Sequence, residues 1–394
     1  MCGLLFILQC KNCRCNLQPS REKLVRQIKN RGPNSQNTVE FTNDSGIHFY
    51  IHTSLLWLRG TEPCVQPDKK GENTLLWNGD LFNIDLPKGQ SDTEYISNQL
   101  SEAKDAQSVR RIFSQLNGPG AYLYYRQNVE TLWFGRDIFG RHSLLASIKP
   151  CHVIISSVGF MNSDLIEVPA LGVYELTMGT KFDINLVPWS NRVPPNEMIL
   201  PFEANLDLDN SLTSNVDTLK TEKIDLPDYD NFEDYLTCEI AKNAVEGLRE
   251  ALTISVNERV SAQPPFCKEC IKDKLSYHED SKLQRKGCLH TKVAILFSGG
   301  LDSTVLVYLA ALSVQPGDQL DLLNVAFQQA NGTYAVPDRL TAFQAYEELQ
   351  ELVLPLEITL NLILVNVTKA ELKDWRESQI KDLLWPLDTV LDDR

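Results

Sequence analysis

Short apolar runs, each cut off by Gly, Pro, Asn or Asp, dominate the first half of the chain. Leu4–Leu8 is apolar throughout and predicts a buried strand. Gly46–Thr53, Thr74–Trp77, Ala121–Tyr125, Thr131–Phe134, Val153–Ser156 and Gly172–Leu176 are β-branched or aromatic-rich segments of strand length. Two helices fit between them: Ser20–Asn30, with Leu24, Val25 and Ile28 on one face, and Thr93–Glu102. An antiparallel, sheet-rich first domain follows. From Ser190 to about Asp230 the periodicity fades into Asn, Pro, Asp and Ser, the composition of a linker. Tyr235–Val260 then predicts a helix, with Ala244, Leu248, Ala251, Leu252 and Ser255 near helical spacing and no internal proline. Beyond a polar, lysine-rich insertion (261–291), the rhythm becomes strand, loop, helix. Val293–Phe297, Leu320–Phe327 and Leu360–Val367 read as strands, and Thr304–Ser313 and Thr341–Leu352 as helices. Such alternation indicates a parallel α/β sheet. The predicted domains are 2–189 and 231–394, joined by a linker at 190–230, and no internal repeat is evident.

Composition narrows the class. The 394 residues, 43% hydrophobic and 23% charged, are globular in character, and at roughly 150 residues per domain they predict two or three domains. A net charge of −14, from 38 Lys+Arg against 52 Asp+Glu, argues against nucleic acid as a partner, because displacing counterions takes a basic face. Small-molecule chemistry is favoured. The apolar start lacks the basic n-region and small-residue cleavage site of a signal peptide, and no apolar run reaches the roughly 18 residues of a membrane helix. The expectation is a soluble, cytoplasmic protein without a membrane partner. Ten cysteines in such a chain should mostly be reduced, so their spacing matters more than their parity. Cys10, Cys13 and Cys15 form one cluster, and Cys267, Cys270, Cys288 and His290 another. Tetrahedral zinc accepts these ligand types, although the first cluster offers only three and the second pairs Cys288 with His290 at tight spacing. Free thiols in variable loops are the competing explanation for both.

The strongest motif is Ser298-Gly299-Gly300-Leu301-Asp302-Ser303, which lies between a predicted strand and a predicted helix. Glycines let the backbone approach a phosphate, and the free N–H groups of the following helix point at it. Ser298 and Ser303 add hydroxyl donors, and Asp302 is the candidate to hold Mg2+ bridging phosphate oxygens. No Gly-Lys-Ser/Thr follows, so this is not a Walker loop. The sequence here resembles the ATP pyrophosphatase group, whose signature is Ser-Gly-Gly-x-Asp-Ser and which includes asparagine, argininosuccinate and GMP synthetases and β-lactam synthetase. That resemblance implies ATP cleavage between the α- and β-phosphates and leaves the acceptor open.

The second motif is the chain's own start. Removal of Met1, expected sterically before a small residue, gives Cys2 a thiol and a free α-amine. An α-amine with a pKa of about 7.7–8.0 can take the thiol proton and return it to departing ammonia, so one residue supplies both nucleophile and base. Cys2-Gly3 alone is a weak signal. It is followed in order by Arg31-Gly32-Pro33-Asn34, Gln66-Pro67, Trp77-Asn78-Gly79-Asp80-Leu81-Phe82-Asn83, Ser91-Asp92-Thr93-Glu94 and Gly135-Arg136-Asp137-x-x-Gly140-Arg141. With these motifs nearly all of residues 2–180 resembles the class II glutamine amidotransferases. The resemblance implies an αββα N-terminal-nucleophile fold, an oxyanion hole made by Asn78 and the Gly79 N–H, and binding of the glutamine α-ammonium by Asp92. The family's glutamine-gripping arginine corresponds here only to Arg59, several residues along its segment. Asp80 stands where the family has Glu. Arg136 and Asp137 read as mainly structural.

Both halves together resemble asparagine synthetase. The asparagine synthetase domain-containing proteins in particular share the divergent insertion before Val293–Gly300, Leu322–Phe327, Val336-Pro337-Asp338-Arg339 and Pro386–Asp393. The resemblance implies a glutamine-dependent amide ligase, in which Cys2 releases ammonia from glutamine and aspartate is activated as β-aspartyl-AMP over an incomplete parallel-sheet ATP pyrophosphatase domain. Glutamine, aspartate, ATP and Mg2+ would be its small-molecule partners. Because the family carries a second Gly/Asp signature after the Pro-Leu-Asp segment, this 394-residue chain is expected not to synthesise asparagine unaided. A pseudoenzyme retaining both folds, or a glutaminase alone, is the alternative. A β-lactam-synthetase-like acceptor is disfavoured by the retained Cys2.

Overall fold

Strand β1 (Gly3–Gln9) sends Leu4, Phe6 and Leu8 to one side and Leu5 and Ile7 to the other, and both sides are buried. That double burial is why the chain starts with an uninterrupted apolar run. The computed structural model describes residues 2–82, 86, 90–160, 163–179, 182–190, 238–261, 263–264, 266–267, 269–271, 288 and 290–381, with backbone alone at 205–206. The predicted linker, the middle of the insertion, Asn83 and the segment Pro386–Asp393 therefore lie largely or wholly outside the described residues.

Two units divide the chain: residues 1–214 with 377–394, and residues 215–376. After β1 the first continues with α1 (Gln18–Lys29), β2 (Ser35–Thr42), β3 (His48–Leu55), β4 (Asp68–Lys70), β5 (Asn73–Gly79), α2 (Asp92–Ser101) and α3 (Ala106–Ser114). There follow β6 (Gly120–Arg126), β7 (Thr131–Arg136), β8 (Leu145–Lys149), β9 (His152–Ser156), β10 (Ile166–Glu167), β11 (Gly172–Met178), β12 (Phe182–Pro188) and β13 (Asn205–Leu206). They form two sheets, β10-β8-β9-β1-β3-β2 and β13-β12-β11-β7-β6-β5-β4. All pairings are antiparallel except β12 with β13.

Strand alternation builds the layers. Phe6, Phe49 and Ile51 of one sheet meet Leu76, Leu123, Phe134 and Tyr174 of the other in a shared core. On the outer face of the first sheet, Leu5 and Ile7 pack with Leu24 and Ile28 of α1. On the outer face of the second, Leu75, Trp77, Tyr122 and Trp133 pack with Ile96 and Leu100 of α2 and with Val109 and Phe113 of α3. This is the αββα sandwich expected from the resemblance. Truncating any of the fully buried core side chains to alanine costs about 2–5 kcal/mol.

The second unit contains α4 (Glu239–Val260), β14 (Val293–Leu296), α5 (Leu301–Ala311), β15 (Gln319–Phe327), α6 (Pro337–Val353), β16 (Thr359–Val367) and α7 (Lys369–Trp375). Its three strands are parallel, in the order β14-β15-β16, as the alternating pattern predicted. Leu320, Leu322 and Leu360 on one sheet face pack with Val307 of α5, Ala342 and Leu349 of α6 and Val256 of α4. Val325, Phe327, Ile363 and Val365 are exposed and share the other face through their register. Helix α5 starts three residues earlier than the sequence pattern indicated and α6 four, because apolar spacing does not mark a first turn that begins at Gly300 or Pro337. Among the described residues no helix is long and apolar enough to cross a membrane.

Candidate active site

The register of β1 against β3, Gly3 opposite Ser54, brings Cys2 beside the chain that leaves β3. The Leu56 N–H donates to Cys2 Sγ at 3.4 Å. From the other sheet, the end of β5 delivers Asn78, whose Oδ1 accepts from the Cys2 N–H at 2.7 Å. Since the Cys2 nitrogen can only donate here, the Asn78 amide is oriented with Nδ2 turned away from it. Nδ2 is buried without a hydrogen-bond partner among the described residues. An unpaired buried donor is costly in a resting protein and suits an anion that forms during a reaction. Burial pushes the Cys2 thiol up to about 11, partly countered by the Leu56 N–H. At neutral pH the thiol therefore holds its proton, and attack requires a base.

Gly79 and Gly120, opposite one another across β5 and β6, form a slot for Trp77. A Cβ at either glycine would lie 2.4 Å from the indole ring. Gln66 holds the Trp77 backbone on both sides: its Nε2 donates to the Trp77 carbonyl and its Oε1 accepts from the Trp77 N–H, each at 2.8 Å. Thus held, Trp77 Nε1 donates to Asp92 Oδ2 at 3.2 Å. Asp92 opens α2 behind a capping box, in which Ser91 Oγ accepts from the Glu94 N–H at 3.2 Å and the Ser91 N–H donates to Glu94 Oε2 at 3.1 Å. Burial raises the Asp92 carboxyl to about 6, the Trp77 hydrogen bond lowers it, and Asp80 raises it further, with Arg59 opposing from its positive charge.

One pocket is lined by Cys2, Asn78, Gly79, Asp80, Asp92 and Arg59, so all six sequence-predicted residues of the glutamine site converge. Arg59 reaches it although it lies past the end of β3, with its guanidinium 5.1 Å from the centre of the Phe82 ring. The same pocket is lined by Cys64 and His142, which sequence reasoning missed. His142 follows directly on the Gly140-Arg141 motif, the only signal that could have found it. Its imidazole is held down chiefly by burial, so it is neutral at pH 7. Arg136 and Asp137 are occupied structurally. Arg136 donates to the His142 and Val168 carbonyls at 2.7 and 3.0 Å, and Asp137 accepts from the Gly120 and Arg141 N–H groups at 3.0 and 3.1 Å.

In the second unit, the loop Ser298–Gly300 joins β14 to α5. Asn324 on β15 supports it by donating to the Phe297 carbonyl at 2.8 Å, and buried Arg339 of α6 donates to the Asn324 side chain. Gly299 has φ +79°, and a Cβ there would meet the Ala342 nitrogen at 2.4 Å, so only glycine lets the loop lie on α6. Ser298 Oγ and Ser303 Oγ are 3.4 Å apart, with Asp302 exposed in the first turn of α5. Two hydroxyls, a carboxylate and the N–H groups that a helix start leaves without intrahelical partners form a set that fits a nucleotide phosphate with Mg2+.

Neither cysteine cluster shares a residue with the pocket at Cys2 or with the Ser298–Ser303 loop. Cys267, Cys270, Cys288 and His290 do come together. In the first cluster Cys10 is not a partner through its side chain. Its N–H donates to the Cys151 carbonyl, and Cys151 and His152 join Cys13 and Cys15 instead. The cause is the pairing of β1 with β9, which sets Gln9 opposite His152.

No protein-family model matches the chain. By sequence it is similar to an asparagine synthetase domain-containing protein of Drosophila melanogaster, 31% identical over 420 residues that take in 100% of this chain and 72% of that protein. It is also 29% identical to asparagine synthetase domain-containing protein 1 of Homo sapiens, over 95% of this chain and 69% of that one. Among solved structures, the glutamine phosphoribosylpyrophosphate amidotransferase from B. subtilis complexed with ADP and GMP superimposes with a TM-score of 0.38 at 11% identity, over 91% of this chain and 90% of that chain. So low a score adds nothing to the strand order described above.

Proposed function

Because the chain belongs to the asparagine synthetase domain-containing proteins, we propose that its first unit hydrolyses glutamine at Cys2 and that its second uses ATP to activate a carboxylate, of aspartate in the first instance, for amidation. The observation that carries the reading is the pairing of Asn78 with the Cys2 nitrogen, which leaves Asn78 Nδ2 a buried donor without a partner among the described residues. In the mature chain that nitrogen is the α-amine, and it takes the proton from Sγ as sulfur attacks the side-chain amide carbon of glutamine. Asn78 Nδ2 and the Gly79 N–H hold the oxyanion. The α-ammonium protonates the leaving nitrogen, ammonia departs, and water cleaves the thioester to give glutamate. Asp92 holds the substrate ammonium and Arg59 its carboxylate.

In the second unit, Ser298, Ser303 and the N–H groups at the start of α5 would hold the phosphates of ATP, and Asp302 a magnesium ion. ATP, when bound, supplies the leaving group that a free carboxylate lacks. The test is an intact mass measured after exposure to a diazoketone analogue of glutamine, run beside an assay for glutamate release. One adduct on Cys2, on a chain that has lost Met1, is expected together with glutamate. A chain that takes up no analogue and releases no glutamate refutes the hydrolytic reading and favours a protein that keeps the fold without the chemistry.

The charge of Asp92 gives this reading a pH signature. With its carboxyl at about 6, the fraction able to pair with the substrate ammonium falls below that pH. The glutamine KM is expected to rise about tenfold per pH unit there, and Asp92→Asn to flatten the profile while weakening binding by roughly 10–100-fold. The sign for stability is opposite to that of most carboxylates. Folded Asp92 keeps its proton up to about 6, whereas the unfolded residue loses it near 3.9. Its contribution therefore favours folding in acid and is lost as pH rises through 6. Denaturant titrations of wild type and Asp92→Asn between pH 4 and 7 check this. Wild-type protein that gains stability relative to Asp92→Asn as pH rises through 6 contradicts it.

A further inference from the structure

We infer that the chain carries two structural zinc(II) sites, one in each unit: Cys267, Cys270, Cys288 and His290 hold one ion, and Cys13, Cys15, Cys151 and His152 the other. In each set the four ligand atoms all lie within 4.8 Å of one another. Tetrahedral zinc with Zn–S near 2.3 Å and Zn–N near 2.0 Å separates neighbouring ligand atoms by about 3.5–3.8 Å. His290 Nδ1 lies 3.4 Å from Cys267 Sγ and 3.3 Å from Cys270 Sγ. A single Nδ1 carries one proton or one lone pair, so it cannot form two well-directed bonds to two thiols. A cation at the centre of the four atoms serves all of them.

The surroundings of the sulfurs point the same way. The Cys267 N–H donates to Cys288 Sγ at 3.0 Å, and the Cys270 N–H to Cys267 Sγ at 3.5 Å. Backbone donors aimed at sulfur stabilise thiolate ligands, as outer-shell partners do around structural metals. Three cysteines and a histidine close the coordination sphere, leaving no open position for a substrate, so the role is structural. The site ties the two ends of the insertion together, three residues before β14, the strand that leads to Ser298. Ile271, next to Cys270 in the chain, is buried.

The second site stands on its own geometry. Cys151 Sγ lies 3.2 Å from Cys13 Sγ, 3.7 Å from Cys15 Sγ and 3.6 Å from His152 Nδ1. Its two halves come from the loop after β1 and from Cys151 and His152 at the start of β9, so an ion there would fix the far end of the strand that begins beside Cys2. All the cysteines involved are free, with no disulfide among them, and borderline-soft zinc matches a set of three thiolates and an imidazole.

The test uses the full chain, produced with zinc in the medium, desalted, and analysed for metal by mass spectrometry. About two zinc ions per chain are expected. Cys267→Ser with Cys270→Ser should leave about one, Cys13→Ser with Cys151→Ser about one, and the quadruple variant none. Replacement by cobalt(II) in the wild-type chain reads out coordination without relying on how variants fold. Tetrahedral d–d bands with thiolate charge transfer are expected, saturating at about two equivalents. Wild-type protein that is folded yet retains no zinc, and gives only the weak spectrum of octahedral cobalt, overturns both sites. A single ion lost with one pair of substitutions overturns the other site, and native disulfides that exclude metal overturn whichever cluster contains them. Labelling of Cys2 by the glutamine analogue should survive the Cys267/Cys270 substitutions.

Discussion

Cys2→Ala is expected to remove glutamine hydrolysis almost completely, lowering kcat by on the order of 10⁵, while leaving the protein folded. The fold should tolerate the change because the polar contacts of Cys2 Sγ among the described residues are long, 3.4 Å from the Leu56 nitrogen and 3.7 Å from its carbonyl oxygen, worth about 1 kcal/mol. The same loss is expected when the thiol is present but the amine is not. An uncleaved N-terminal tag turns the base into a peptide nitrogen, and a thiol at about 11 then keeps its proton. Glutamate release and analogue labelling should disappear together in both forms, with circular dichroism and Tm unchanged. Undiminished turnover in the tagged protein would assign the base elsewhere, and the buried, neutral His142 in the same pocket would be the first residue to examine.

Asn78→Ala is expected to lower kcat by about 10²–10³, with a smaller change in KM. On the proposed reading the side chain has two tasks, since Oδ1 accepts from the Cys2 nitrogen and Nδ2 would hold the oxyanion. Asn78→Asp separates them. It keeps an acceptor for the amine and the shape of the side chain, but presents negative charge to an alkoxide, so it should be no better than alanine in kcat. If Asn78→Asp retains most of the rate, Asn78 only positions the nucleophile, and the oxyanion is held by backbone alone.

The candidate pocket at Cys2 was legible because its residues sit in ordered motifs, each with a local structural reason. Ser91 and Glu94 form a capping box that starts α2 and presents Asp92, and Gly79 is required by the Trp77 ring. The second unit was legible from its alternation of strand and helix. What escaped depended on distant pairing. β2 has only Val39 and Phe41 as apolar residues, because it is an edge strand with one side exposed. α3 is nine residues long, with Val109 and Phe113 inward, too short for its period to stand out. β8 and β12 were likewise missed. Cys151 and His152 carry no local sign of a partnership with Cys13 and Cys15, which lie some 136 residues away. Only the register of β1 with β9 creates it.

Trp77 has one more consequence. Its indole lies over the paired glycines Gly79 and Gly120 at the end of β5 next to Asn78 and donates to Asp92, so a rigid aromatic ring links the places proposed for the oxyanion and for the substrate ammonium. Such a spacer measures the substrate. An amino acid whose amide lies one methylene closer to its α-carbon is expected to reach Asp92 and Cys2 together less well than glutamine, a mismatch of about 1–3 kcal/mol in discrimination. Asparagine is that amino acid. If the second unit amidates aspartate as proposed, the Trp77 spacer is what would keep the pocket at Cys2 from consuming that product.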